Sequence, residues 1–581
     1  MTGTPSPQPR QQTPRARSIH LVGGVLILTA VVAALVLGKH LVGRTPSAET
    51  LPTTVTVTPE PAPPLPITSP QWGGTLSRNM VSDEKNLPSS FSIGGPDGDG
   101  TEAAPVNLKW KARLGTQTYG TPTVANGRVL VGTNNGAPRN PALTGDRLVL
   151  MCFDETDGTF LWQLATPSPV HHGKFSLCGD LGICTSAALD ESRAYVVTSR
   201  AHVICTALDP LGSALQPIYT EEAEYLARPA RERFSVGKDG PIVDRRPGTP
   251  VKLTPTDANM VWVYDMMTGV GSWPHDASSA SPLLLDDYLY VGTGNAEEVD
   301  EIHKPSPDGP SLIVLDKRTG ELIARDEAGI VPRVHHGQWS SPSCGVVNGR
   351  TLIFYGGGDG FCYAFDAEPI PGADGKPGTL DTVWRCDANS PELRQVRYLK
   401  PNGPSEIIAT PAFDNNRIYV AVGQDPHHGL GKGCLTCIDA TGTGDISKTG
   451  VIWRYTDISR SVSTASISDG LVYIADLAGV LHCVDAESGE PVWTQKLDSR
   501  VWGSTLCADG KVYVGTQGGK LWIMKAGREK EVLATVRLGR AMYSTPVAAG
   551  GVLYIATARY LYAVEEGAGG DTGSVTLGSG M

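Results

Sequence analysis

Four aromatic side chains, Tyr119, Trp339, Trp502 and Tyr543, occupy one and the same place in a recurring segment, three residues before the second position of a Ser/Thr step. Aromatic faces held at matching places of a repeat can stack on a planar cofactor or a sugar; they can equally fill wedge-shaped gaps between packed sheets. Histidines come in three adjacent pairs, His171-His172, His335-His336 and His427-His428, among 12 in the chain. Imidazoles in loops bind metal, but neighbours in sequence seldom chelate one ion without a third ligand, so hydrogen bonding or hydration is the default expectation. Glu297 and Glu298 supply hard oxygen donors of the kind calcium prefers. Cys434 and Cys437 form a Cys-x-x-Cys, yet Ile438 stands where a c-type haem site needs His, and no second such pair completes a zinc site. Packing explains these thiols better: Cys152, Cys437 and Cys483 fall two residues before the Asp of a third strand, where two other copies carry Ala364 and Ala563.

The elements that must position these groups are announced by the repeat. TPTVANGRVLVGT (121–133) reads as a Ser/Thr-Pro step, a short apolar strand, a tight turn and a second apolar strand. The pattern returns at 185–199, 281–294, 341–358, 410–423, 464–477, 504–517 and 545–558, which makes eight copies. At the turn stand Gly127, Asn416, Gly470, Gly510 and Gly551, residue types that tolerate positive φ. A third and usually a fourth strand follow, the fourth carrying a Trp four residues after a Gly: Gly158 and Trp162, Gly489 and Trp493. Four antiparallel strands per unit define a propeller blade, which buries neither face without its neighbours. The last copy lacks its own fourth strand, and LKWKARLG (108–115) ahead of the first copy supplies it, closing the ring. The expected fold is all-β, an eight-bladed propeller preceded by a transmembrane helix.

The segments AESGEPVW (486–493) and DETDGTFLW (154–162) make the repeats resemble those of the pyrroloquinoline-quinone-like β-propellers, over about 460 residues. That family includes quinoprotein alcohol dehydrogenases and non-catalytic scaffolds of the outer-membrane assembly lipoprotein type. In the dehydrogenases a GTGN-like segment delivers an Asn to calcium beside the cofactor; the resemblance gives that role to Asn295, with Glu297 and Glu298 beside it. It offers Asp276, in Pro274-His275-Asp276, as catalytic base, although this motif precedes the Asn here and follows it in the family. The four aromatic residues become the candidate quinone-binding residues. No adjacent Cys-Cys pair exists, whereas the dehydrogenases commonly carry one over the cofactor.

Residues 21–38 form an uncharged run of 18 residues preceded by Arg10, Arg15 and Arg17. The run suits one membrane crossing with a cytoplasmic N-terminus and an extracytoplasmic body. The expected divisions are a cytoplasmic tail (1–18), a transmembrane helix (19–38), a Pro/Thr-rich linker (39–70), an N-terminal strap (71–106), the propeller (107–567) and a Gly-rich tail (568–581). A formal net charge of -11 gives no basic surface for phosphate binding, so nucleic acid is not an expected partner. The insertion at 211–258, with a helix-like TEEAEYLAR, lies where long propeller loops make partner contacts. The leading functional expectation is a membrane-anchored binding or scaffold protein whose face loops engage protein partners. The alternative is a dehydrogenase dependent on pyrroloquinoline quinone and calcium.

Overall fold

The computed structural model describes residues 69–95, 104–169, 179–209, 219–228, 231–232, 234–237, 240–243, 252–298, 300–373 and 375–569. The apolar run at 19–38, nearly all of the linker, His171, His172 and Cys178, one half of the local pair Cys178 and Cys184 that the sequence offers for a disulfide, lie outside them. Among the described residues no helix is long and apolar enough to cross a membrane.

Eight of the sheets are blades of four antiparallel strands that run outward from a short inner strand, and four of these sheets take on a fifth strand, Val81–Ser82, Arg231–Glu232, Gly378–Leu380 or Gly444–Asp445. Blade 1 runs from strand Thr123–Ala125 outward through Arg128–Asn134 and Arg147–Asp154 to Phe160–Pro169. In blade 8 the outermost place is taken by Leu108–Arg113, antiparallel to Tyr560–Glu565 with Lys111 opposite Tyr562. The ring is therefore closed by the two ends of the propeller, as the sequence predicts, and no blade edge is left between first and last. The hairpins joining the two innermost strands have the expected chemistry: Asn126 and Gly127, Asn415 and Asn416, Asp469 and Gly470, and Asp509 and Gly510 all have positive φ, as two-residue turns matched to strand twist require. The insertion carries the helix Glu222–Ala227 and a separate hairpin, Phe234–Gly237 with Gly240–Val243.

The recurring Gly-x-x-x-Trp works across seams and not within a blade. The indole N–H of Trp162 in blade 1 donates to the carbonyl of Leu208 in blade 2 at 3.0 Å. Trp262, Trp384, Trp453, Trp493 and Trp110 make the same bond to the blade that follows each of them, at 2.9–3.1 Å. The Gly of the receiving blade lies flat under the incoming indole: a Cβ on Gly489 would stand 2.6 Å from Trp453, and one on Gly158 2.6 Å from Trp110. Blade 3 has Ala324 in the Trp position, and there Tyr290 Oη donates to the Ala367 carbonyl of blade 4 instead.

The Ser/Thr-Pro step closes the hub. Six of the eight hydroxyls accept the backbone N–H of the blade before them: Ser186 N donates to Ser281 Oγ, Ser281 N to Ser341 Oγ, Thr410 N to Thr464 Oγ1, Thr464 N to Ser504 Oγ, Ser504 N to Thr545 Oγ1 and Thr545 N to Thr121 Oγ1, at 2.8–3.0 Å. Ser186, one residue later than the start of the repeat read from sequence, holds this place in blade 2. The remaining seams are bridged as well, Ser186 Oγ to the Thr121 carbonyl and Ser340 Oγ to that of Ala409. A small hydroxyl is needed there because it reaches the neighbour's backbone without filling the axis.

The N-terminal strap follows the ring from blade to blade. Ser69 pairs with Val124 in blade 1; the Pro70 carbonyl accepts from Leu189 N in blade 2, and the Gln71 side chain from Leu284 N in blade 3. Leu76 then engages Cys344, Ser77 engages Phe413, Asn79 exchanges two bonds with Ile467, and Val81–Ser82 runs parallel to Cys507–Ala508. Glu84 ends the circuit, its two carboxylate oxygens accepting from Gly550 N and Gly551 N of blade 8 at 2.8 Å each. Ser69 and Pro70, which the sequence places at the end of the linker, are already bonded to blades 1 and 2. Arg78 is its anchor: wholly buried, it donates to the carbonyls of Pro342, Pro282 and Trp72.

Candidate functional site

The strap lies on the hairpin side of the inner strands and sends Trp72 into the axis, where its indole donates to Thr410 Oγ1 at 3.2 Å. The opposite end of the axis is a cavity of about 270 Å³. Its floor is the hydroxyl ring and Trp72; its wall consists of the residues two places before each hydroxyl, Tyr119, Cys184, Ser279, Trp339, Ile408, Val462, Trp502 and Tyr543 in order of blades. All four aromatic residues singled out from the repeat therefore line one cavity. They form an arc, not a ring. Blades 7, 8 and 1 are neighbours across the closure, so Tyr119 stacks on Tyr543 at 4.5 Å, and Trp502 meets both edge-on at 6.0 and 5.5 Å. Trp339 stands alone on blade 4, with its indole N–H held by the carbonyls of His275 and Ala277 at 3.2 and 3.1 Å. All four are half-buried, so part of each ring borders the cavity.

The residues offered for calcium sit together on blade 3 but are committed to different partners. Asn295 is buried, bridges to Pro274, and turns its side-chain oxygen to Trp273 N at 3.0 Å and its amide nitrogen to the Ser306 carbonyl at 3.0 Å. Glu297 is ion-paired with Lys304 at 3.0 Å; burial raises its pKa and its second oxygen has no hydrogen-bond partner. Glu298 groups with Asp300 and His303, and Asp276 with His275 and His336. Among the described residues Asp276, Glu297 and Glu298 share no three-donor cluster, and the Asn295 oxygen is already bonded. Asp276 borders the cavity with φ +56°.

The sequence hints at histidine pairs but not at how the pairs divide. His427 faces the cavity rim, 6.2 Å from Trp502, while its neighbour His428 turns away to His336 at 4.5 Å. His336 in turn lies 4.3 Å from His275 and 5.4 Å from Trp339. Its neighbour His335 instead stacks on Tyr398 at 5.0 Å and accepts from Arg394 Nη1 at 3.1 Å. Burial, reinforced by the adjoining imidazoles, pushes the His336 pKa down to about 2. Burial also lowers that of His428. Beside them the buried Glu406 carboxyl is pushed up to about 8 by loss of hydration, although it accepts from Asp425 N and Tyr398 Oη. Cys152, Cys205, Cys362, Cys437 and Cys483 are fully buried strand residues, in agreement with a packing role.

Closed ring, four-stranded blades and seam-bridging Trp residues define the molecule as an eight-bladed propeller of the quinone-repeat class. Residues 101–321 and 431–531 match the family described as outer membrane protein assembly factor BamB, and the chain belongs to that family. Two curated relatives match locally: a quinohemoprotein alcohol dehydrogenase of Comamonas testosteroni, 30% identical over 109 residues, and a 1-butanol dehydrogenase (cytochrome c) of Thauera butanivorans, 32% identical over 96 residues. The first match covers 16% of this chain and 15% of the relative, the second 14% of each. BamB from Moraxella catarrhalis superposes with a TM-score of 0.47 at 14% identity, covering 79% of this chain and 99% of that one. The Comamonas enzyme superposes with a TM-score of 0.41 at 14% identity, covering 85% and 80%.

Proposed function

We propose that the protein is a binding module of the assembly-factor type, held at a membrane by its N-terminal apolar segment and presenting the open, aromatic mouth of an extracytoplasmic propeller to a protein partner. The observation that carries this reading is the asymmetry of the axis. One end is bound over by a strap bonded to all eight blades, whereas the other offers half-buried Trp and Tyr faces above a polar floor. Aromatic side chains that join an apolar body to a polar tip are the residue types enriched in binding anchors. The family description supports a partner that is protein.

The rival reading, a quinone- and calcium-dependent dehydrogenase, draws support from the arc of Tyr119, Tyr543 and Trp502 facing Trp339 across a cavity open to planar rings. The calcium donors of that reading are divided among other partners: the Asn295 oxygen accepts from Trp273 N, and one Glu297 oxygen pairs with Lys304. A photo-reactive amino acid placed in living cells separates the two faces. At Trp502 or His427 it is expected to give a discrete protein adduct, and at Asn86 on the strap none. Equal labelling from both faces, or none from the open mouth, overturns the proposal. Sedimentation of the chain with membranes after alkaline washing tests the anchor.

A further inference from the structure

Three imidazoles from three blades converge behind Trp339. His275 comes from the loop entering blade 3, His336 from the loop entering blade 4, and His428 from the loop after strand Arg417–Val422 of blade 5. Their rings stand 4.3 Å and 4.5 Å apart in the order His275, His336, His428. His336 is 3% exposed and its Nδ1 has no hydrogen-bond partner, an unfavourable state for a buried nitrogen unless a ligand takes its lone pair. The donor atoms of His275, Asp276 and His336 lie within 4.8 Å of one another, as do those of Glu301, His336 and His428. His275 is already oriented as a ligand. Its Nδ1–H donates to the Glu297 carbonyl at 3.2 Å, which leaves the Nε2 lone pair on the side of Asp276 Oδ1, 3.8 Å away. Metal-ligating imidazoles are held in this way, through the second nitrogen.

We propose that His275, His336 and His428, with Asp276 as carboxylate ligand, bind one divalent transition-metal ion of the zinc class. A set dominated by imidazole selects zinc, cobalt, nickel or copper, whereas calcium and magnesium require a shell of oxygens. Atoms bound to one ion at ~2.1 Å stand roughly 3.4 Å apart in tetrahedral geometry, so side-chain rotations moving the donors by about 1 Å bring His275, Asp276 and His336 onto one ion, and a larger rotation of the half-buried His428, grouped with His336 and Glu301, adds the fourth ligand. The ion pins loops of blades 3, 4 and 5 to one another. Because the His275 and Ala277 carbonyls hold the Trp339 indole, it also fixes the lone aromatic wall of the cavity. The site adjoins the Asn295 region, where Pro274 bridges to Asn295 and His275 bonds the Glu297 carbonyl, but it uses different donor atoms.

The test uses the full chain with affinity tags removed, stripped by a chelator and titrated with Co²⁺ as the spectroscopic probe. The expected result is one ion per chain with visible ligand-field bands, displaced by Zn²⁺ and retained in about 1,000-fold excess of Ca²⁺. His336→Gln is expected to lower affinity ~100-fold or more and His428→Gln by roughly 10- to 100-fold, with circular dichroism unchanged. Asp300→Asn, in the neighbouring cluster with Glu298 and His303, leaves binding intact. Should His336→Gln fail to fold, the half-buried His428 carries the comparison. Absence of saturation at about 1 mM Co²⁺, displacement by Ca²⁺, or loss of binding in Asp300→Asn with retention in His428→Gln overturns the proposal.

Discussion

The two ends of the axis are built from the same inner strands and yet differ in how their polar groups are used. At the strapped end, successive residues from Ser69 to Glu84 pair with the inner strands of all eight blades. At the open end, buried polar atoms stand without hydrogen-bond partners: His336 Nδ1, Glu297 Oε2 and Glu406 Oε2. Satisfied groups stabilise and orphaned groups cost; orphans such as Thr123 Oγ1 and Ser343 Oγ occur elsewhere in the ring, so the mouth is set apart by the combination of orphaned His and Glu atoms with half-buried aromatic rings. Stability is therefore assigned to the seams and the strap, and binding to the mouth.

Substitutions that separate the two ends should rank accordingly. The largest loss belongs to a seam. Trp453→Ala removes a buried indole and its bond to Ala486, at an expected cost of about 3–5 kcal/mol in denaturant unfolding. Next is Arg78→Ala, which leaves the Pro282, Pro342 and Trp72 carbonyls without their donor and should cost about 3 kcal/mol. A loss under about 1 kcal/mol would show that the strap is dispensable to the ring.

At the mouth a pH effect is expected. The Glu406 carboxyl has its folded pKa raised to about 8, so the folded state holds a proton that the unfolded chain releases near the ordinary Glu value. The stability this confers is complete below about pH 4.3 and is lost as pH rises toward 8. Glu406→Gln should flatten that decline in melting temperatures measured from pH 5 to 9; an unchanged slope would assign it to other groups. The smallest stability change belongs to Tyr119→Ala with Trp502→Ala. These half-buried rings should cost only about 1 kcal/mol together, while abolishing adducts from the open mouth. A large loss of stability in that double variant would make the arc packing rather than a binding surface.

Much of this division is legible in the residues. The hairpin glycines and asparagines and the period of the Ser/Thr step specify blade number because each is a local requirement that recurs along the chain, and the displaced strand LKWKARLG specifies closure. The Gly-x-x-x-Trp spacing is visible too, but its meaning is not. Gly489 receives Trp453 from the neighbouring blade, and no spacing within one blade encodes a contact across a seam. The aromatic residues are correctly drawn to one cavity, whereas their arrangement as an arc depends on which blades carry them: 7, 8 and 1 become adjacent only when the ring closes. The histidine pairs mislead in a similar way, since His335 and His336 point to different neighbours and the partner of His336 is His275, 61 residues earlier. The spiral of the strap has no periodic signature, because its bonds are made by backbone groups of unlike residues.

The central claim, that the open mouth binds a partner and does not turn over a quinone, is tested most directly by reconstitution. The full chain is incubated with pyrroloquinoline quinone and Ca²⁺, and dye reduction is followed with alcohols and aldose sugars. The account predicts no stoichiometric cofactor binding and no turnover above the protein-free blank. Saturable binding of one quinone per chain, with turnover that Asn295→Ala abolishes, would contradict it.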